Sequence, residues 1–528
     1  MSAPAIRIVG DRAELRFDRF DLAAFELFLR VKRLPEKQLF YDRRTDAYTV
    51  TAPARLAHLL DPALPRPARP AEPLAAHLFD YQAFIVTSAL QAKRYAVWAD
   101  TGLGKTAIFL EWARQVLLLT GGRVLVIAPL AVIEQIRAEA RRFYGAGLEL
   151  ERVDTRERLA EWCRRPGPGL AIANPDKLIA GVLDDLRRCA GLILDESSIL
   201  RSGGGVIKWN LIKSARGIEY KLSCTATPAP NDTMEYASQA SFLEKLRSEG
   251  EILWTYFTRD KAGNWRVKPH ARRAFYAFMA TWSIYLRDPA RYGWRDVLAD
   301  LPPPEITEER LPLTAEQRRL AQAFAVENGS GLFGTDRMGV RQRAKLAQLA
   351  RGFLYESGRA RRVAARKPGQ VAALALSEAA ARRQVLVWTT YDEEGEILSE
   401  LLPRAVLLSG SMPIGERERT LERFRAGDVR ILISKPQLLG YGMNFQFVRS
   451  MVFSGFDDSF ERMYQAIRRA YRLGQTESVR VFVPYVPELE GLVLENVRAK
   501  ERRFLAEVAT QEAAYIEALR ELGEGVAA

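Results

Sequence analysis

Short apolar runs separated by longer amphipathic stretches set the rhythm of this chain. Between Leu74 and Leu246 the runs are YAVWA (95–99), VLVIA (124–128), LAIA (170–173), LILD (192–195) and KLSCT (221–225). Each has the length of a strand, and the stretches between them space their apolar residues like helices. Continuously apolar strands alternating with helices predict a parallel sheet with helices on both faces. The rhythm returns at VLVWTT (385–390), AVLLSG (405–410), RILIS (430–434), SMVFSG (450–455) and VRVFVP (479–484). The chain therefore reads as α/β, with two such units in tandem.

Punctuation between the runs divides the chain further. Residues 1–60 form a small N-terminal α+β unit: LFYDRRTDAYTV (39–50) is strand, turn at Arg43–Asp46, strand, and APARLAHLL is helical. The Pro-rich stretch 61–73 cannot continue a helix or a sheet ladder and serves as a linker. The first lobe covers 74–300. Its segment from about 245 to 300 is expected as a helical insertion rich in aromatic and basic residues, because FYAFM and TWSIYL are spaced like buried helix faces. A linker with LPPP (301–304) and a basic helical stretch fill 301–370, the second lobe covers 371–487, and 488–528 reads as a C-terminal helix ended by Gly523.

The length of 528 residues exceeds what one hydrophobic core supports, which fits this division. No run is apolar over the roughly 18 residues that a membrane span needs, and the charged start MSAPAIRIVGDRAEL is unlike a signal peptide. An intracellular, cytoplasmic protein is expected, nucleoid-associated when on DNA. The net charge of +13 suits nucleic acid, an anionic surface or an acidic protein. Three cysteines (Cys163, Cys189, Cys224) without CxxC spacing and three isolated histidines (His58, His77, His270) suggest neither a disulfide framework nor a zinc site.

Chemistry concentrates in WADTGLGKT, between the run YAVWA and the helical AIFLEWARQVL. Gly102 and Gly104 let backbone N–H groups approach phosphates, Lys105 offers a point charge to the β and γ phosphates, and Thr106 offers a hydroxyl to Mg²⁺. Thr101 and Leu103 complete the loop. LILDESSIL then ends a buried strand with two carboxylates: Asp195 suits Mg²⁺, partly through water, and Glu196 suits deprotonating an attacking water.

With these motifs the chain resembles the superfamily 2 helicases, specifically Swi/Snf-type DNA translocases of the compact bacterial and phage branch. The resemblance runs from Phe79 to Gln475: FDYQ (79–82), ADTGLGKT (99–106), APLAVIEQIRAE (128–139), DESS (195–198), TATPAPN (225–231), LPPPEITEERLPLTAEQ (301–317), SKPQLLGYGMNFQ (434–446) and QAIRRAYRLGQ (465–475). It implies two tandem RecA-like domains with ATP and Mg²⁺ in the interdomain cleft. Gln82 and Gln465 would lie at the nucleotide. Arg469 and Arg472 would act as arginine fingers on the γ-phosphate, with Lys105 and Glu196 completing the catalytic set. Pro129, Asn174, Thr225 and Gly442 would lie near the nucleic-acid backbone. The implied activity is ATP-dependent translocation on DNA, duplex preferred and sequence-independent. An RNA helicase, or an ATP-gated DNA-binding subunit of a larger phage-defence or restriction assembly with protein partners, are the alternatives. The sequence departs from the family at Ser197 and Ser198, where Ala-His is usual, at Ile136 for tryptophan, at Ala226 for glycine and at Arg468 for glycine. Residues 1–60 resemble substrate-recognition modules placed before some annealing helicases.

Overall fold

The computed structural model describes the whole chain except residues 1–3, 11, 19, 62, 65–69, 201–204, 227, 229–234, 247–248, 260–264, 296–300, 328–339, 357, 437, 440–444, 457–459, 473–474, 476 and 522–528. It divides into two compact units: residues 1–100, 104–296 and 509–528, and residues 297–508 with 101–103. Each is built on its own sheet.

The first unit centres on a seven-stranded sheet. In spatial order its strands are Ser283–Leu286, Arg94–Ala99, Tyr220–Cys224, Gly191–Leu194, Arg123–Ile127, Gly169–Ala173 and Leu150–Arg152, and every neighbouring pair runs parallel. The five strands expected from the apolar runs are all present. Their side chains are buried almost throughout, as strands covered on both faces require. Helix Lys105–Thr120 is apolar nearly all round and lies inside, ending at Gly121 with φ of 61°. Its one inward acid, Glu111, is fully buried yet satisfied by Arg114 (2.8 Å), Gln115 (2.9 Å) and the Tyr144 hydroxyl (2.9 Å).

The expected helical insertion is corrected here. FYAFM does lie in a helix, Arg272–Ala280, and Phe275 and Phe278 are buried in it. TWSIYL, however, supplies strand Ser283–Leu286, the edge of the main sheet beside Arg94–Ala99. Four consecutive buried side chains fit a two-sided strand as well as a buried helix, so periodicity could not separate them. A small antiparallel hairpin, Phe257–Arg259 with Trp265–Val267, also interrupts the segment. Residues of the C-terminal helix Pro487–Glu521 pack on the new strand: the Tyr515 hydroxyl meets the Ser283 hydroxyl at 2.6 Å, and Glu512 accepts from the Arg287 and Asp288 N–H groups, both at 3.2 Å. Gly523, expected to end this helix, lies outside the described residues.

The N-terminal part of this unit is a four-stranded antiparallel sheet, Arg7–Val9, Arg12–Phe17, Ala47–Pro53 and Gln38–Asp42, with helix Leu22–Arg33 on one face. The expected strand–turn–strand is present, while APARLAHLL forms a 3₁₀ helix, Ala54–Leu59.

The second unit holds a six-stranded parallel sheet in the order Glu305–Arg310, Arg480–Tyr485, Ser450–Phe453, Val385–Trp388, Ile431–Ser434 and Val406–Leu408. Its core gathers Val371, Ala375, Val385, Val387, Leu398, Ile433 and Val452. The expected linker contributes the edge strand Glu305–Arg310, paired with Arg480–Tyr485. The basic stretch is helical over Ala315–Glu327 and Val340–Ala350, then turns into the hairpin Phe353–Glu356 with Arg359–Arg362. Each of the two main units is thus a RecA-like domain, a parallel sheet flanked by helices. No described helix is long and apolar enough to cross a membrane.

Candidate nucleotide site and its helicase motifs

In a parallel sheet, ligands gather beyond the carboxyl ends of the strands. The motif residues of the first unit follow that rule strand by strand. The phosphate loop follows Arg94–Ala99, Pro129 lies two residues after Arg123–Ile127, Asn174 follows Gly169–Ala173, Asp195 and Glu196 follow Gly191–Leu194, and Thr225 follows Tyr220–Cys224. Residues far apart in the sequence therefore sit along one edge.

The loop 100–104 has the backbone that its glycines were expected to supply, with φ of 94° at Gly102 and 71° at Gly104. A Cβ added at Gly104 would lie 2.3 Å from Gln82 Nε2, so a side chain here meets both strain and a buried neighbour. Gln82, 2% exposed, accepts the Phe79 N–H at 3.0 Å, which fixes its side chain within FDYQ, and its amide lies beside Gly104. Lys105 and Thr106 open helix Lys105–Thr120, whose N-terminal N–H groups and dipole favour an anion. The Lys105 ammonium donates to the carbonyls of Ala99 (2.9 Å) and Asp100 (3.4 Å), holding the charge over the loop.

Opposite the loop, burial and then the adjoining Glu196 charge push the Asp195 carboxyl up to about 7, against the pull of Lys105. Glu196 has a left-handed backbone, φ 52°, and its carboxylate accepts the Thr225 hydroxyl at 3.1 Å. Asn174 accepts the Asp176 N–H at 2.8 Å and caps the short helix Pro175–Leu178, while Pro129 precedes the short helix Leu130–Val132. A loop of backbone donors with a lysine, a hydroxyl and two carboxylates fits a nucleoside triphosphate. A magnesium ion fits the Thr106 hydroxyl with the adjoining Asp195 and Glu196 carboxylates, since it keeps several waters and binds through one or two carboxylates plus substrate phosphates.

In the second unit Gln465 lies on helix Phe460–Arg468, and Arg469 and Arg472 follow it. Arg469 is 5% exposed, donates to the Pro436 carbonyl at 3.1 Å and lies 5.6 Å over the Trp388 ring, at the carboxyl end of strand Val385–Trp388. Arg468, the departure from glycine, is held between Tyr464 (5.4 Å) and Tyr471 (5.1 Å). Gly442, with Gly440 and Asn444, lies outside the described residues.

The DEAD/DEAH box helicase family matches residues 79–235, and the helicase conserved C-terminal domain matches 367–474, one on each RecA-like unit. The chain belongs to the superfamily 2 helicases. It is a nucleic-acid-dependent ATPase. Protein p41 of Acyrthosiphon pisum secondary endosymbiont phage 1 is 24% identical over 388 residues, covering 69% of this helicase and 82% of the phage protein. The ATP-dependent RNA helicase eIF4A of Encephalitozoon cuniculi is 37% identical over 123 residues, covering 22% of this chain and 28% of that protein. Among solved structures, the Sulfolobus solfataricus SWI2/SNF2 ATPase core in complex with dsDNA aligns with a TM-score of 0.39 and 19% identity, over 87% of this chain and 99% of that one.

Two residues bonded to the first unit's motif segments escaped the sequence reading. Arg287 follows the unrecognised strand Ser283–Leu286 and pairs with Asp100 of the phosphate loop at 3.6 Å. Gln239, on helix Glu235–Phe242, donates to the Ser197 carbonyl (3.3 Å) and hydroxyl (3.0 Å). A single glutamine inside a helix carries no spacing that a sequence could betray.

Proposed function

We propose that this helicase is a Swi/Snf-type motor that moves along duplex DNA without reading its sequence. The row of motif residues at the carboxyl ends of adjacent strands supports a motor, because one edge carries both the nucleotide groups and the nominated backbone contacts. The preference for DNA rests on TATPAPN and the joining segment LPPPEITEERLPLTAEQ, which resemble the Swi/Snf branch.

In this reading the loop Thr101–Thr106 cradles the phosphates, and Gln82 and Gln465 flank the nucleotide. Thr106, with Asp195 through water, would hold Mg²⁺. When bound, the ion would supply charge neutralisation at the triphosphate. Glu196 orients the attacking water and takes its proton as the oxygen bonds to the γ-phosphorus and ADP leaves. Arg469 and Arg472 stabilise the charge on the transferring phosphoryl group, an effect worth about 10³–10⁵ in rate where such fingers have been dissected. Because they belong to the second lobe, hydrolysis depends on lobe closure, and that dependence couples chemistry to stepping. Pro129, Asn174, Thr225 and Gly442 lie near the tracked strand, through contacts to phosphates that carry little sequence information.

Residues 1–60 are assigned to substrate recognition. The outer face of their sheet, opposite Leu15, Phe17 and Val50, presents Arg7, Arg12, Arg16 and a Phe40 that is 68% exposed. Basic and aromatic groups together suit phosphates and unstacked bases.

The likeness to an RNA helicase over 123 residues favours RNA as the second reading. ATP turnover measured side by side with duplex DNA, single-stranded DNA, RNA and no nucleic acid decides. Largest stimulation by duplex DNA is expected, and stimulation by RNA alone would replace the DNA reading.

A further inference from the structure

The catalytic turn of the first lobe is strained. Glu196 is a non-glycine residue at φ 52°, a costly conformation that persists only when its surroundings over-determine it. Before the turn, the Asp195 N–H donates to the Ile127 carbonyl at 2.9 Å and fixes the strand end. At its centre, the Thr225 hydroxyl holds the Glu196 carboxylate. After the turn, the holder is Gln239. Its Nε2 bonds both the carbonyl and the hydroxyl of Ser197, which is fully buried. Its Oε1 accepts the Ser223 hydroxyl. Ser223 lies on strand Tyr220–Cys224, two residues before Thr225. One buried amide, 1% exposed, therefore ties the residue after Glu196 to the strand that delivers the partner of Glu196.

Resting on the assignment of Glu196 as the base, we propose that Gln239 is its positioning residue, clamping Ser197 to Ser223 so that the strained turn aims the carboxylate. The amide is suited to this because it donates and accepts at once, and both ends are used. The clamp holds Ser197, where the family usually has alanine, and so ties the carboxylate turn to the strand that leads into the TATP segment. The clamp touches neither the phosphate loop nor Gln82, so nucleotide affinity does not depend on it.

Three variants in the full chain test this, read by kcat and KM for ATP at saturating nucleic acid and by thermal unfolding. Gln239→Leu keeps the bulk and removes the bonds, leaving two buried hydroxyls without their partner, which costs stability. The second variant adds Ser197→Ala and Ser223→Ala, which removes those hydroxyls and restores an apolar fit. Glu196→Gln is the control. The expected result is a kcat at least tenfold lower for Gln239→Leu with KM within twofold of wild type, and a triple variant whose Tm recovers while its kcat does not. Wild-type kcat in Gln239→Leu, or recovery of kcat together with Tm in the triple variant, overturns the proposal by reducing Gln239 to packing. If Gln239→Leu fails to fold, the triple variant alone carries the comparison. Full turnover in Glu196→Gln would instead remove the base assignment itself, whereas an inactive Glu196→Gln beside an unaffected Gln239→Leu removes only the clamp.

Discussion

Four buried charges inside the second lobe set a stability prediction that can be worked from the geometry. Arg351, Lys367, Glu394 and Glu490 have side chains between 0% and 2% exposed. Lys367 reaches both oxygens of Glu490 at 2.7 Å, and Arg351 lies 3.6 Å from Glu394 and 3.7 Å from Glu490. Two cations thus face two carboxylates. Further polar groups close the cluster: Arg351 donates to Thr390 (2.7 Å) and the Phe456 carbonyl (2.6 Å), and Ser454 donates to Glu394 (2.7 Å). Glu490→Gln leaves two cations facing one carboxylate. Removing one partner of a buried pair costs about 3–5 kcal/mol. At about 2–4 °C per kcal/mol for a domain of this size, the second-lobe transition should fall by about 6–20 °C. Adding Lys367→Met restores charge balance, and the amide oxygen introduced by Glu490→Gln can still accept the Val486 N–H, so the double variant should recover most of the loss. Differential scanning calorimetry of the nucleotide-free chain measures both. A loss under about 2 °C for Glu490→Gln, or a double variant less stable than the single one, would refute the balance argument.

Three further outcomes follow from the first lobe and the net charge. Gly104→Ala places a Cβ against Gln82 in a backbone with φ of 71°, so ATP turnover should drop at least tenfold with a raised KM; wild-type kinetics would remove the close approach from the mechanism. Burial lowers Lys221 from 10.5 to about 8, against the pull of Glu244. The unfolded chain then binds more protons than the folded one between about pH 8 and 10.5, so this group's contribution rises with pH across that window and is lost as pH falls to 8. The stability difference between wild type and Lys221→Met should grow by the same course, and parallel pH curves would contradict it. Finally, with +13 net charge and the proposed contacts to phosphates, log affinity for DNA should fall linearly with log salt regardless of base sequence; a flat titration would count against a tracking motor.

The apolar rhythm located the strands because two-sided burial demands continuous apolar runs, and the carboxyl-end rule then placed Lys105, Asp195 and Thr225 together. The same logic was blind to strand Glu305–Arg310. That strand reads EITEER and is mostly exposed, so pairing with Arg480–Tyr485 defines it and burial does not. Ser283–Leu286 failed for the opposite reason, being so uniformly buried that helix and strand share one pattern. Missing it hid Arg287, whose nearness to Asp100 exists only once that strand lies beside Arg94–Ala99. Gln239 was hidden because its partners Ser197 and Ser223 are far away in sequence and ordinary in type.

The two-lobe mechanism stands or falls on Arg469 and Arg472. Arg468 provides the internal control, since its guanidinium is already engaged by Tyr464, at 3.1 Å from the hydroxyl, and by the Tyr471 ring. Arg468→Ala should therefore lower stability and change turnover only in proportion to the folded fraction. Arg469→Ala and Arg472→Ala should cut turnover by about 10³ or more, because a finger acts on charge that develops in the transition state. ATP affinity should change far less, since the phosphate loop supplies ground-state binding. Arg469→Lys separates charge from geometry: lysine keeps the cation but loses the planar fork, so it should recover little turnover. Duplex DNA should fail to rescue any of these finger variants. In the proposed mechanism it would act by favouring closure, and a closed site without its arginines would still lack the stabilising charge. The assays are turnover and nucleotide affinity with and without DNA, with Tm as the control for folding. If the second lobe were an independent domain, both alanine variants would hydrolyse ATP at the wild-type, DNA-stimulated rate, and that result would refute a shared active site.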